Sequence, residues 1–182
     1  MILSDTALIE KVNKGSKKAF EELYDQYWEL LFDAAFQRLK SKDLAKDVVQ
    51  ELFIDLWNRK GKIQVKQSLK VYLLTAVKYN VFKVMDQINL EESLNGHEGI
   101  VMLPSDDILP FEALYEQLED ALEDFPEMAG KIFRMNKLQG MSASEVSKEL
   151  GINIQSVHNS VHKSMKLLKE SLRFSSGFIL FL

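Results

Sequence analysis

Apolar residues recur at spacings of three and four along most of this chain, which predicts an all-α protein without β-strands. Four helices are predicted in the first half. The third has the broadest apolar stripe, with Leu44, Val48, Leu52 and Leu56 four residues apart and Asp47 and Glu51 on the opposite face. The predicted helices cover residues 5–15 (capped by Asp5), 16–39, 43–57 and 68–86. Together they predict one domain over residues 1–86.

The periodicity stops at residues 87–110, where Asn, Gly, Ser, Asp and Pro are mixed without a sustained period. This segment predicts a flexible acidic linker between two helical domains. The period resumes at Phe111, and Pro126 suits the first turn of a helix that ends before Gly140. A second domain is therefore expected over residues 111–174, followed by an apolar tail over residues 175–182.

Residues 141–168 have the pattern of a helix-turn-helix. Ser142 and Glu145 form a capping box, Gly151 can adopt the left-handed turn, and Asn153 can cap the next helix. That helix is expected to bury Ile154, together with Val157, Val161 and Leu168, and to make the second domain a four-helix unit. A helical hairpin inside a core would show the same pattern. The side chains predicted to be exposed for DNA are Gln155, Ser156, His158, Asn159, His162, Lys163 and Lys166.

The amino-acid composition excludes several kinds of functional site. Of the 182 residues, 46% are hydrophobic and 27% charged, which predicts a folded protein, and no cysteine is present. Disulfides, a thiolate nucleophile and cysteine-based metal sites are thereby excluded. The apolar run at residues 177–182 is far shorter than the roughly 20 residues that cross a bilayer. We therefore expect a cytoplasmic location. The tail is expected to pack on the protein itself, to latch its two domains together or to dock on a membrane-anchored partner protein.

The net charge of -4 conceals a strong segregation of charge. Residues 56–85 contain seven Lys or Arg and no acid, and residues 130–174 contain eight against three Glu. Residues 87–129 contain twelve acids and no Lys or Arg. The basic blocks predict nucleic-acid binding, whereas the acidic segment is either a solvated surface or a mimic of nucleic acid.

These motifs resemble the extracytoplasmic-function (ECF) sigma factors, the two-domain sigma subunits of bacterial RNA polymerase. The resemblance covers nearly the whole chain. In the second half it rests on Phe125-Pro126-Glu127, Ile132-Phe133, Gln139-Gly140-Met141-Ser142, Glu145-Val146 and Leu150-Gly151-Ile152, which resemble region four of the family. In the first half it rests on Ala19-Phe20-Glu21, Tyr24, Tyr27, Asp47-Val48-Val49-Gln50-Glu51, Phe53 and Leu56-Trp57, which resemble region two. Tyr79, Lys83 and Asp86 depart from the pattern usual in region two.

The resemblance implies two functions for region two and one for region four. Polymerase docking would use Asp47, Gln50 and Glu51, which would meet basic side chains of the polymerase. The loop after Trp57 would trap a flipped base of the minus-ten element, and the exposed residues of the last helix would read the minus-thirty-five element. The cations expected near the minus-ten strand are Arg59, Lys60, Lys62, Lys66, Lys70 and Lys78. Expected partners are core RNA polymerase, promoter DNA and an anti-sigma factor of the kind that is often membrane-anchored.

No catalytic constellation or phosphate-binding glycine loop can be assembled from the sequence, so we expect no enzymatic activity, cofactor or small-molecule substrate. His158 and His162 have the spacing of a metal pair, but no carboxylate or thiol accompanies them in this motif, so no metal site is predicted. Two alternatives remain open. One is a helix-turn-helix regulator that binds DNA without polymerase, and the other is a helical interaction protein such as an anti-sigma adaptor.

Overall fold

The computed structural model describes residues 4–65, 68–94 and 111–171, and these residues contain helices and no strand, as predicted. Contacts divide the chain into two compact units, Met1–Ile88 and Asn89–Leu182. Most of the predicted linker and the whole apolar tail lie outside the described residues. The helices are α1 (Asp5–Asn13), α2 (Lys17–Leu39), α3 (Lys42–Asn58), α4 (Leu69–Leu94), α5 (Phe111–Glu123), α6 (Glu127–Phe133), α7 (Ala143–Leu150) and α8 (Ile154–Ser171).

Serines begin the first three helices. Ser16 caps α2, as predicted, by accepting a hydrogen bond from the backbone N–H of Ala19. The other two starts were predicted slightly too late, because Ser4 caps α1 and Ser41 caps α3. Asp5 is therefore not a cap. It lies in the first turn, where a carboxylate stabilises the positive end of the helix dipole.

The core of the first unit lies between α1, α2 and α3. Residues of α2 that are four apart, including Leu23, Tyr27 and Leu31, are buried along one face. Phe20 extends this contact to α3, with its ring centroid 6.0 Å from Phe53 and 5.0 Å from Trp57. These aromatic contacts fix the orientation of α3 against α2.

Helix α4 continues to Leu94, beyond the predicted end near Asp86. No glycine or proline occurs between Asp86 and Gly96, so no residue there stops a helix that is already formed. Every residue from Val71 to Tyr79 is buried. Within this stretch the Thr75 hydroxyl donates to the carbonyl oxygen of Val71 at 2.8 Å, which satisfies the buried hydroxyl.

In the second unit, a cluster of buried side chains joins α6 and the turn after it to α7 and α8. Ile132, Met135, Val146 and Val157 are its buried members. Pro126 stands at the N-cap of α6 rather than inside its first turn. After Phe133 the helix passes into a π-helical turn over Arg134–Leu138, which precedes the turn into α7.

A buried ion pair joins α5 to this π-helical turn. Glu119 is 1% exposed, and its Oε2 accepts hydrogen bonds from Arg134 Nη2 at 2.9 Å and from Nε at 3.3 Å. Gly130 leaves room for the guanidinium, because a Cβ there would lie 3.1 Å from Nη1 of Arg134. The pair was not predicted, since its partners are fifteen residues apart and on different helices.

Candidate nucleic-acid interface

The turn between α7 and α8 is fixed by local hydrogen bonds. The predicted capping box is present: Ser142 Oγ accepts from the Glu145 N–H at 3.2 Å, and the Glu145 carboxylate accepts from the Ser142 N–H at 2.7 Å. These bonds hold the pKa of Glu145 below its usual value. Gly151 follows α7 with φ of 64°, the left-handed conformation that glycine adopts without strain.

Ser147 forms two hydrogen bonds across this turn. Its hydroxyl donates to the carbonyl oxygen of Ile152 at 2.6 Å, and the Ile152 N–H donates back to the carbonyl oxygen of Ser147 at 3.1 Å. This reciprocal pair closes the turn before α8 begins. The angle between α7 and α8 is therefore set by side-chain bonding as well as by core packing.

Helix α8 exposes all seven side chains that the sequence predicted for DNA, from Gln155 to Lys166. Val157 and Leu168 are fully buried beneath them, as expected. The prediction for Ile154 was wrong, because this side chain is 44% exposed. As the first residue of α8, it has no preceding helical turn to cover it. The exposed row thus begins with an apolar side chain.

At the start of α8, Gln155 bonds to two asparagine side chains, through its backbone N–H to Asn153 and through its side chain to Asn159. Asn153 Oδ1 accepts from the Gln155 N–H at 2.7 Å, which confirms the predicted cap. Gln155 Nε2 in turn donates to Asn159 Oδ1 at 3.2 Å. This bond leaves the two Nδ2–H donors of Asn159 and the Oε1 acceptor of Gln155 to face a ligand.

The basic loop that follows α3, residues 59–65, is tied down at several points. Arg59 pairs with Asp55 at 3.1 Å, and its guanidinium bonds to the Tyr72 hydroxyl. Burial raises the pKa of that hydroxyl, and Arg59 opposes the shift. Lys60 Nζ lies 4.6 Å from the ring centroid of Trp57. Lys62, like Lys60, is exposed.

The remaining predicted minus-ten cations have different outcomes. Lys70 is exposed on α4, and Lys66 lies outside the described residues. Lys78 was wrongly predicted to face DNA, because it is only 3% exposed. Apart from Thr75, its neighbours from Val71 to Tyr79 are apolar on all sides of the helix, and a helix of that kind is covered all round. The aromatic residues of this helix, Tyr72, Tyr79 and Phe82, are buried as well, so none of them can stack on bases.

The exposed face of α3 contains Asp47, Gln50 and Glu51, the residues predicted to dock on polymerase. Ile54 projects from the same face and is 60% exposed. Trp57 is half-buried, because α3 ends near it and its ring lies against Phe20 and Lys60. An apolar side chain among acids on a helix face is a feature of protein-binding surfaces.

Asn13 is the residue of this region that sequence reasoning missed. Its side-chain amide makes three hydrogen bonds to the backbone of Gly61 and Ile63, about fifty positions away in the sequence. No local sequence pattern predicts a contact between residues so far apart in the chain. A lone Asn before Lys14-Gly15 is indistinguishable from an ordinary helix end.

Within the described residues, no group of three or more His, Cys, Asp or Glu side chains could hold a metal ion. His158 and His162 are both exposed on α8, beside amides and lysines. In the same part of the chain, none of the helices has the length and apolarity needed to cross a membrane.

The chain is similar in sequence to known sigma factors. Residues 115–168, which run from α5 into α8, match the model of Sigma-70, region 4. The ECF RNA polymerase sigma factor SigW of Bacillus subtilis is 21% identical over 91% of this chain and 95% of its own length. The ECF RNA polymerase sigma-E factor of Haemophilus influenzae is 22% identical over 94% and 96%. Along most of its length, the chain is therefore similar to ECF sigma factors of RNA polymerase.

Among solved structures, this chain is similar to CnrH, described as a complex with the cytosolic domain of CnrY, at a TM-score of 0.44 and 16% identity. That alignment covers 93% of this chain and 97% of CnrH. The region 4 match includes the whole capped turn between α7 and α8. The match also includes the row of exposed polar side chains on α8, from Gln155 to Lys166.

Proposed function

We propose that this sigma factor binds core RNA polymerase through α3, holds the unpaired minus-ten strand at the loop after α3, and reads the minus-thirty-five duplex with α8. The observation that carries the proposal is the exposure of all seven predicted polar side chains of α8 directly after a hydrogen-bonded turn. Sigma factors are transcription initiation factors rather than enzymes. The polymerase supplies the chemistry of RNA synthesis, and this chain supplies promoter choice.

For the duplex, α8 has the composition that major-groove recognition requires. The amide of Asn159 can bond to an adenine edge, and His158 can reach a neighbouring base. Lys163 and Lys166, further along the helix, suit phosphate oxygens. Capping at Ser142 and bonding at Ser147 hold the two helices of the motif in a fixed relation, which keeps the base-reading row in register with the groove.

For the unpaired strand, the loop supplies cations on a fixed backbone. Lys62 and Lys70 are exposed and suit phosphates, whereas Arg59 and Lys60 are oriented by Asp55 and Trp57. Because the region's aromatic residues on α4 are buried, capture of a base relies on the loop itself rather than on an aromatic platform.

For polymerase, the α3 face combines a central apolar side chain with surrounding charge. Ile54 can enter an apolar pocket of the partner, while Asp47 and Glu51 meet basic side chains around it. Buried anchors of this kind supply binding energy, and the surrounding charges set orientation and encounter rate.

The same surfaces suit an inhibitory partner. An anti-sigma factor that covers α3 or α8 would block polymerase or promoter, and a membrane-anchored one would hold the sigma factor at the inner face of the membrane. The site of action is the cytoplasm, where polymerase and DNA are found. No small-molecule substrate has a role in this mechanism.

Charge reversal on α3 tests the docking assignment. Asp47→Lys combined with Glu51→Lys is expected to abolish binding to core polymerase, measured by fluorescence anisotropy, while circular dichroism stays unchanged because both side chains are exposed. Glu123→Lys with Glu127→Lys is the matched control, since it makes the same charge change on exposed residues of the second unit. Equal loss in both variants, or loss in neither, would reject the assignment.

A further inference from the structure

The side chain of Asn13, the last residue of α1, uses both ends of its amide on the loop after α3. Its Oδ1 accepts hydrogen bonds from the N–H of Gly61 at 2.9 Å and from the N–H of Ile63 at 3.3 Å. Its Nδ2 donates to the carbonyl oxygen of Ile63 at 2.9 Å. Asn13 is half-buried, so these bonds are partly shielded from water. One side chain thus binds both sides of Lys62.

These bonds complete the backbone bonding of the loop. Between residues 59 and 63, the N–H groups of Arg59, Lys60 and Lys62 donate to carbonyl oxygens of residues 55, 57 and 59. The other two N–H groups, those of Gly61 and Ile63, donate to Asn13. The loop has no helix or strand to hold it, so without Asn13 two adjacent parts of its backbone would depend on water.

The conformation held in this way is not one that the chain adopts by default. Gly61 has φ of 89°, in the left-handed region that other residues avoid. Ile63 is buried and anchors the far end of the loop, whereas Lys62 between them is exposed. The bonds to Asn13 therefore fix the point from which the Lys62 side chain leaves the surface.

We propose that Asn13 is a positioning residue for the minus-ten strand: it holds residues 61–63 in the conformation that receives an unpaired base and its phosphates. This inference rests on the proposed function of the loop. Asn13 itself need not touch DNA. Its action is through the loop backbone, and α1 thereby becomes part of the promoter-melting apparatus.

Two substitutions of Asn13 distinguish the loss of all three hydrogen bonds from the loss of one. Asn13→Ala removes all three bonds, and it keeps α1 because alanine is a better helix former than asparagine. Asn13→Asp keeps acceptors for the two N–H groups but loses the donor to the carbonyl oxygen of Ile63. Gly61→Ala perturbs the same loop conformation independently, because a Cβ there has space but the backbone is strained. Glu10→Ala, an exposed change on the same helix, is the matched control.

The experiment measures binding of holoenzyme, assembled from core RNA polymerase and each variant, to a short non-template strand. That strand carries the minus-ten element of a promoter selected with the wild-type holoenzyme from a random-sequence library. Anisotropy is recorded with the intact strand and with strands that lack one base at each position in turn. Affinity for core polymerase and for minus-thirty-five duplex is measured in parallel.

Wild-type holoenzyme is expected to lose affinity when one particular base is absent. Asn13→Ala should bind the intact strand about tenfold more weakly, a change of about 1.4 kcal/mol in binding free energy, and should discriminate little against the missing base. Asn13→Asp should be intermediate. Gly61→Ala combined with Asn13→Ala should be no worse than either alone, because both act on one loop.

The outcomes separate this inference from the function on which it rests. If wild-type holoenzyme fails to bind the strand, or no base matters, the minus-ten assignment of the loop is wrong. If wild type discriminates and Asn13→Ala discriminates equally well, only the role of Asn13 is rejected. A loss in Asn13→Ala that appears equally in core affinity and duplex binding would show a merely structural contact and would also overturn the proposal.

Discussion

The buried ion pair of Glu119 and Arg134 sets the stability of the second unit, and its removal gives a large expected effect. Arg134→Met keeps much of the aliphatic length but leaves the Glu119 carboxylate buried without its cation. The Oε1 atom of Glu119 already has no hydrogen-bond partner among the described residues. Breaking one partner of a buried pair costs about 3–5 kcal/mol. Since whole domains are stable by roughly 5–15 kcal/mol, this loss takes much of the unit's stability.

Two probes separate the units during denaturant unfolding. The two tryptophans, Trp28 and Trp57, both belong to the first unit, so fluorescence excited selectively in tryptophan reports on that unit alone. Far-ultraviolet ellipticity reports on both units. Arg134→Met should move the ellipticity transition of the second unit to lower denaturant and leave the fluorescence transition in place. Binding to minus-thirty-five duplex should weaken in parallel.

A double variant that lacks both charges tests whether the unpaired carboxylate causes the loss of stability. Glu119→Leu combined with Arg134→Met replaces the pair by apolar side chains of similar volume, a change that is often neutral or stabilising. The double variant should therefore recover most of the lost stability. A loss below about 1 kcal/mol in Arg134→Met, or a double variant no more stable than the single one, would refute the account of this pair.

Three further outcomes are expected. Asn159→Ala should relax base preference at one position, whereas Lys166→Ala should weaken all sequences alike and lower the salt dependence, both measured by duplex titration at several salt concentrations. Ile54→Ser should weaken polymerase binding without changing unfolding, because its side chain is exposed. The pKa of Glu145 is lowered by its bonds with Ser142, so the stability it contributes is present above its ordinary pKa of 4.5 and is lost as pH falls below that value. Glu145→Gln should flatten that part of the pH–stability curve, and an unchanged curve would contradict it.

Local signals made much of the second unit predictable. The capping box at Ser142, the left-handed Gly151 and the cap at Asn153 each depend on residues within a few positions, and all three are present. The seven exposed residues of α8 followed from helical periodicity alone. The error at Ile154 has a local cause as well, since periodicity assigns this residue to the buried face but no preceding helical turn covers the first residue of α8.

Features that depend on distant parts of the chain could not be predicted in the same way. The bonds of Asn13 and the pair of Glu119 with Arg134 join residues from different helices. Lys78 was misplaced because a basic block was assumed to be exposed, whereas the apolar residues around it bury that part of α4. Charge patterns describe composition along the chain, and only packing decides which charges reach the surface.

Transcription with purified core RNA polymerase tests the central claim most directly. On a promoter selected from a random library, polymerase with this protein should produce runoff transcripts of one defined length, and polymerase alone should produce none. Polymerase with the variant Asp47→Lys and Glu51→Lys should produce no runoff transcripts. Tight sequence-specific DNA binding in the absence of polymerase, with no transcripts when the two are combined, would contradict the account and identify an independent DNA-binding regulator instead.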